Sequence, residues 1–196
     1  MDLKGKGSLL LLVMSNLVLF LNVASHRICH DDLRCQVNLH ELYNSATFTS
    51  LVMQFHAKDF FREFGKEYVK DSSYFFPAMK SCHTADILAP ADKREARLMQ
   101  QEQLFNLVIR YLRSWRDALL QLGLEAHRLP KFQFDLEIPD NVEYSLWLEK
   151  ESLESPDEQA RLFTVYNTLR CLVSDTNKIH FLLSFLNCLA YNQRVC

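Results

Sequence analysis

The chain has 196 residues, and its 22 Lys and Arg nearly balance 24 Asp and Glu, leaving a formal net charge of -2. That balance excludes an electrostatic case for nucleic acid or an anionic membrane surface as partner. Four Gly and five Pro, set against abundant Leu, Phe and Gln, argue against an all-β fold and for helices packed as one domain.

Residues Met1 to Ser25 read as a signal peptide. Lys4 and Lys6 precede an apolar run from Leu9 through Leu21, and Val23-Ala24-Ser25 suits cleavage before His26. The run is broken by Ser15 and Asn16 and falls short of the about 20 residues a membrane span needs. The expectation is a secreted, extracellular chain from 26 to 196, with no membrane insertion after cleavage. All six cysteines (Cys29, Cys35, Cys82, Cys171, Cys188 and Cys196) lie beyond the leader. An even count in an exported chain implies disulfides, with about fifteen pairings possible on paper. Cys29 with Cys35 and Cys188 with Cys196 are close enough to suggest small terminal loops, which leaves Cys82 to reach Cys171. No CxxC pair supports a zinc site, and no Asn-x-Ser/Thr sequon is present.

In chain order, Leu39, Leu42, Tyr43, Ala46, Val52, Phe55, Phe61 and Phe64 trace a helix from about Asn38 to Tyr68, with Gly65 expected to loosen its last turn. Lys70 to Ala89 reads as an irregular connection, with Phe75 and Phe76 packed under it. A second helix begins near Pro90-Ala91-Asp92, its seam running Leu98, Gln101, Phe105, Val108, Leu112, Trp115, Leu119, Leu122 in steps of three and four. Arg110, Arg113 and Arg116 fall on its solvated face. From Pro130 the period changes: Phe132, Phe134, Leu136 and Ile138 alternate as in a strand, and Tyr144, Leu146, Trp147 and Leu148 follow. The last helix is predicted from Ser155 to Cys196, with Ser155 as cap, Pro156 in the first turn and Glu158 completing a capping box. Its apolar stripe (Leu162, Val165, Leu169, Leu172, Val173, Ile179, Leu182, Leu183, Leu186) makes it the central helix of a bundle.

Two patterns in this order carry a family resemblance. Cys82-His83-Thr84, Ile87, Ala89-Pro90, Ala96, Leu104, Tyr111 and Ser114-Trp115 form the first. Cys171-Leu172, Asp175-Thr176, Leu182, Phe185 and Cys188 form the second. Together they resemble the prolactin/growth hormone family, and the extra N-terminal pair Cys29 and Cys35 places the likeness in the prolactin branch. The resemblance implies an all-α, four-helix up-up-down-down cytokine bundle that acts as a monomer on a single-pass cytokine-class receptor. It also implies the pairs Cys29–Cys35, Cys82–Cys171 and Cys188–Cys196. The third helix of such a bundle is expected to be truncated or replaced by an extended segment, because neither its length nor its period is present.

Carried over position by position, the resemblance marks Leu51 and Gln54 on the first helix, Lys93 at the start of the second, and Asn177, Lys178 and Leu182 on the last as candidate receptor contacts. Lys93 and Lys178 keep the lysines of prolactins. Leu51, Gln54 and Asn177 stand where lactogenic hormones carry histidines, and Leu182 where they carry a tyrosine. The pattern is therefore similar to a placental, non-lactogenic or weakly lactogenic member of the family. An enzyme is not expected: no His-Glu-x-x-His, Gly-x-Ser-x-Gly or glycine-rich phosphate loop occurs. No catalytic residue, cofactor or metal site is assigned, and His26 and His30 with Asp31 and Asp32 read as a solvated terminus. Two rival expectations are a secreted binding or carrier protein using apolar surface left bare by the missing helix, and a poorly folding splice variant without signalling activity.

Overall fold

In the computed structural model of the chain, residues 32–69, 80–126, 128–129, 156–191 and 196 are described. The leader, the Cys29–Cys35 pair, Phe75 and Phe76, and the alternating stretch after Pro130 with its implied loss of a third helix lie outside the described residues. Among the described residues four helices follow in order: α1 (Asp32–Tyr68), α2 (Lys93–Arg97), α3 (Gln101–Ala126) and α4 (Glu158–Tyr191). Among the described residues there is no strand.

Side-chain pairs fix the directions. Asn44 meets Asn187, Ser50 meets His180, and the Phe61 ring packs tilted against Tyr166, so α1 and α4 are antiparallel. Glu125 meets Arg161 and Trp115 meets Asp175, so α3 and α4 are antiparallel too. α1 and α3 therefore run parallel, joined by the long connection from residue 69 to 92, and α4 runs back against both. That is the up-up and the final down of the expected bundle. α4 is central because its sequence is apolar almost all round. Val165, Leu169, Leu172, Ile179, Leu182, Leu183 and Leu186 are all buried, a distribution that demands neighbours on more than one side. Thr164 and Thr168 are buried within it and donate to the carbonyls of Ala160 and Thr164 at 2.9 and 2.8 Å, so their hydroxyls are satisfied inside the helix.

The helix ends differ from the sequence reading. Pro90 lies before the second helical segment, whose N-cap is Asp92, accepting from the backbone of Arg94 and Glu95, while Glu95 reaches back to Ala91 N at 2.7 Å. The helix then stops at Arg97 and restarts at Gln101, so the expected single helix is two. Gln103 accepts from Gln100 N at 3.0 Å, a second capping contact that starts α3 without Ser, Thr or Asp. Leu98 is accordingly 88% exposed and Gln101 exposed, and the buried seam begins at Leu104. α4 is capped by Asp157, which accepts from Gln159 N at 3.0 Å, and Pro156 precedes the helix. α1 runs through Gly65 to Tyr68, with Val69 N bonded to Gly65 O at 3.1 Å, so the glycine does not loosen that turn.

Among the described side chains of α1 the buried ones are Ala46, Ser50, Met53, Ala57, Asp59, Phe60 and Phe64. Phe55, expected on the core stripe, faces outward at 60% exposure, with Phe48 at 68% and Leu51 at 47% beside it. Positions 48, 51 and 55 share one helical face, opposite the core face. Ala46 and Phe64 of the expected stripe are buried, whereas Ser50, Met53, Ala57 and Phe60 fill the inner face outside that stripe.

Candidate functional site

The site is built outward from Cys171 on α4. Its disulfide to Cys82, with Cα atoms 5.6 Å apart, pins the connection before α2 to the middle of α4. One turn on, Asp175 is fully buried. A carboxylate without solvent is stable only when hydrogen-bonded and paired, and this one is held by three groups. Thr84 Oγ1 and Trp115 Nε1 (3.0 Å) donate to Oδ2, and Lys178 Nζ donates to Oδ1 at 2.9 Å. The His83 ring stands edge-on to Trp115 at 4.6 Å. Burial holds the His83 pKa below its usual value, against the nearby Asp175 charge. Both sequence patterns thus converge on one buried polar centre, where Thr84 and Trp115 of the first bind Asp175 of the second.

Lys178 leads from that centre to the surface. Burial alone would lower its pKa, but the hydrogen bond and charge of Asp175, with Tyr111, raise it, so it stays an ammonium. The ammonium lies 5.2 Å from the centroid of the Tyr111 ring, and Tyr111 donates its hydroxyl proton to Ile87 O at 2.7 Å. Beside them opens a cleft of about 480 Å³ lined by Ile87, Ala89, Pro90, Asn177, Lys178 and Phe181, among others. α1 borders α4 along a polar seam: Thr47 Oγ1 donates to Leu183 O at 3.3 Å, Ser50 Oγ meets His180 Nδ1 at 2.9 Å, and Gln54 Nε2 donates to Asn177 Oδ1. Burial lowers the His180 pKa, with a smaller contribution from Lys58, against a hydrogen bond to the Thr47 backbone.

Of the six candidate contacts, the structure brings four onto one continuous face. Gln54 is bonded to Asn177, Asn177 and Lys178 line the cleft, and Leu51 is exposed one turn before Gln54 on α1. Lys93 is exposed two residues past Ala91 at the cleft's lip. Leu182 is the correction: it is 0% exposed, packed in the core with Ile179, Leu183 and Leu186, and a side chain with no surface makes no surface contact. Four residues after Lys178 the helix has turned about 40° further round, enough to carry position 182 inward. The polar seam was not read from the sequence, although Asn44, Thr47, Ser50 and Gln54 fall at spacings of three, three and four. Of the expected disulfides, Cys82–Cys171 and Cys188–Cys196 are formed, as an oxidising compartment allows. Among the described residues no group of His, Cys, Asp and Glu forms a metal site, and no helix is long and apolar enough to cross a membrane.

The model of the somatotropin hormone family matches residues 12–133 and 126–196, the two pieces meeting where α3 ends. The chain is also similar to a prolactin of Alexandromys montebelli, 31% identical over 218 aligned positions that cover 97% of this chain and 96% of the relative. An alignment longer than the chain itself carries gaps in it. With its helix directions, its two disulfides and the convergence of both sequence patterns on Asp175, the chain belongs to the somatotropin hormone family, in its prolactin branch.

Proposed function

We infer that the protein is a secreted hormone that binds a single-pass cytokine-class receptor as a monomer, through one face made by α1, the lip before α2, and α4. The family is one of hormones rather than enzymes. The observation that carries the reading is the Gln54–Asn177 bond, which joins the marked positions of α1 and α4 into one surface beside the Lys178 cleft. The three positions held by histidines in lactogenic hormones are Leu51, Gln54 and Asn177 here. None of them titrates or ligates a metal as imidazole does, which supports weak or absent lactogenic activity.

The test begins with the full chain expressed in mammalian cells. Medium should contain a product starting at His26 with Cys29–Cys35, Cys82–Cys171 and Cys188–Cys196 paired, and that product should show saturable, displaceable binding to receptor-bearing cells. Scrambled thiols or no secreted product would instead support the poorly folding variant. A second reading, a carrier of apolar ligands, is favoured by the exposed stripe Phe48, Leu51 and Phe55. Lipid co-purifying with the secreted chain, without saturable cell binding, would favour that reading over the hormone.

A further inference from the structure

The two oxygens of the Asp175 carboxylate have different partners. Oδ2 accepts from Thr84, in the connection before α2, and from Trp115 on α3. Rotating the carboxylate would break both bonds, so Oδ1 stays aimed at Lys178 Nζ, 2.9 Å away. The Tyr111 ring on the other side of the ammonium is itself anchored through its hydroxyl to Ile87 O. An ammonium has three donors. Here one is taken by a fixed carboxylate, the ring's negative face attracts the positive charge, and the side chain remains 39% exposed towards the cleft.

We propose that Asp175 is a positioning residue that holds Lys178 as a charge-compensated hydrogen-bond donor in the cleft wall, so that this part of the face selects a neutral acceptor flanked by an apolar side chain on the partner, rather than an acidic residue. The inference rests on the receptor-binding reading above. A partner carboxylate entering here would lose its water and meet Asp175 behind the ammonium, whereas a carbonyl oxygen costs far less to desolvate. The rest of the wall suits an apolar neighbour: Ile87, Ala89, Pro90 and Phe181. Lys93 offers the contrast within the same face, since it is exposed and its charge acts through solvent, where salt screens it.

Two measurements test this on the full chain. In the free protein, nitrogen-15 spectra should show Lys178 ammonium hydrogens exchanging more slowly than those of Lys93; equal exchange would overturn the positioning role. With the purified extracellular domain of a prolactin receptor as probe, Lys178→Met should weaken binding about tenfold, the size of a lost charged hydrogen bond. That factor should hold between about 0.05 and 0.5 M salt, while the factor for Lys93→Met shrinks. A Lys178→Met factor that shrinks as much as that of Lys93→Met would overturn the neutral-acceptor assignment. Asp175→Asn should weaken binding in the unaltered chain but add nothing in a Lys178→Met background, and an added loss there would overturn positioning. If Asp175→Asn does not fold, the exchange comparison in the unaltered chain decides. Failure of the unaltered chain to bind the probe would overturn a prolactin-type receptor as the partner and the acceptor assignment with it, while the exchange result still rules on Asp175 and Lys178.

Discussion

Within two turns of α4, two regions meet opposite demands. At Cys171, Leu172 and Asp175 the side chains are buried, and the polar ones are held by the protein: a disulfide, a threonine, an indole, an ammonium. At Asn177 and Lys178 the chain has turned to the surface, and the same helix offers an amide and a cation to a cleft. The first region carries the family resemblance, while in the second Lys178 keeps the lysine of prolactins and Asn177 does not keep their histidine. Residues that identify the family here are those that hold its frame, and a surface position one turn away can change at little structural cost.

The largest test of that contrast is removal of the Cys82–Cys171 bond. Replacing both cysteines with serine should cost about 2–5 kcal/mol, read from urea unfolding, because the bond closes a loop with a sequence separation of 89. A cost near zero would mean the polar centre holds the frame alone. Next in size, Thr84→Val removes one donor from a buried carboxylate and should cost about 1–3 kcal/mol, seen as a lower urea midpoint at unchanged slope. By comparison Gln54→Ala, on the half-buried seam, should cost no more than about 1 kcal/mol while changing receptor affinity. If Gln54→Ala proved the more destabilising of the two, the division between frame and face would collapse.

A pH titration probes the same division. His83 and His180 both have folded-state pKa values lowered from 6.5, chiefly by burial. Below pH 6.5 the unfolded chain then binds more protons than the folded one, so stability should fall as pH drops through that value, and level off below the folded-state values. Chemical denaturation at pH 7.5, 6 and 5 would show the decline, and His83→Gln with His180→Gln should flatten it. The smallest expected effect is at the outer stripe: Phe48→Ser with Phe55→Ser should change stability by about 0.5 kcal/mol or less, measured by thermal unfolding, while lowering binding of an apolar dye.

Much of this fold was legible because helices announce themselves by period. The stripe of α4 was correct at every buried position it named, since a helix apolar nearly all round leaves little room for a wrong face. α1 was harder. Its inner face also holds Ser50, Met53, Ala57 and Phe60, and with a serine and an alanine among them the apolar period is faint enough that the expected stripe runs out to Phe55. The break after Arg97 was hidden because Gln100 and Gln103 cap through a backbone contact that no Gly or Pro marks. For the site, resemblance supplies positions but not exposures: Lys178 lines the cleft, while Leu182, four residues later, is turned into the core.

The base of the bundle has a consequence for how such a chain can vary. Buried Glu125, at the end of α3, accepts from Arg161 Nε at 3.1 Å and from Arg128 Nη1 at 3.3 Å, and Arg161 also donates to Pro156 O at 3.3 Å. The residues on either side of 130–155 are thus fastened to each other by groups outside it. For a closed loop each doubling of length costs only about 0.6 kcal/mol, so the closure cost between those anchors changes little with the length of chain that joins them. In evolutionary terms, length between two fastened ends is among the cheapest things for such a chain to change.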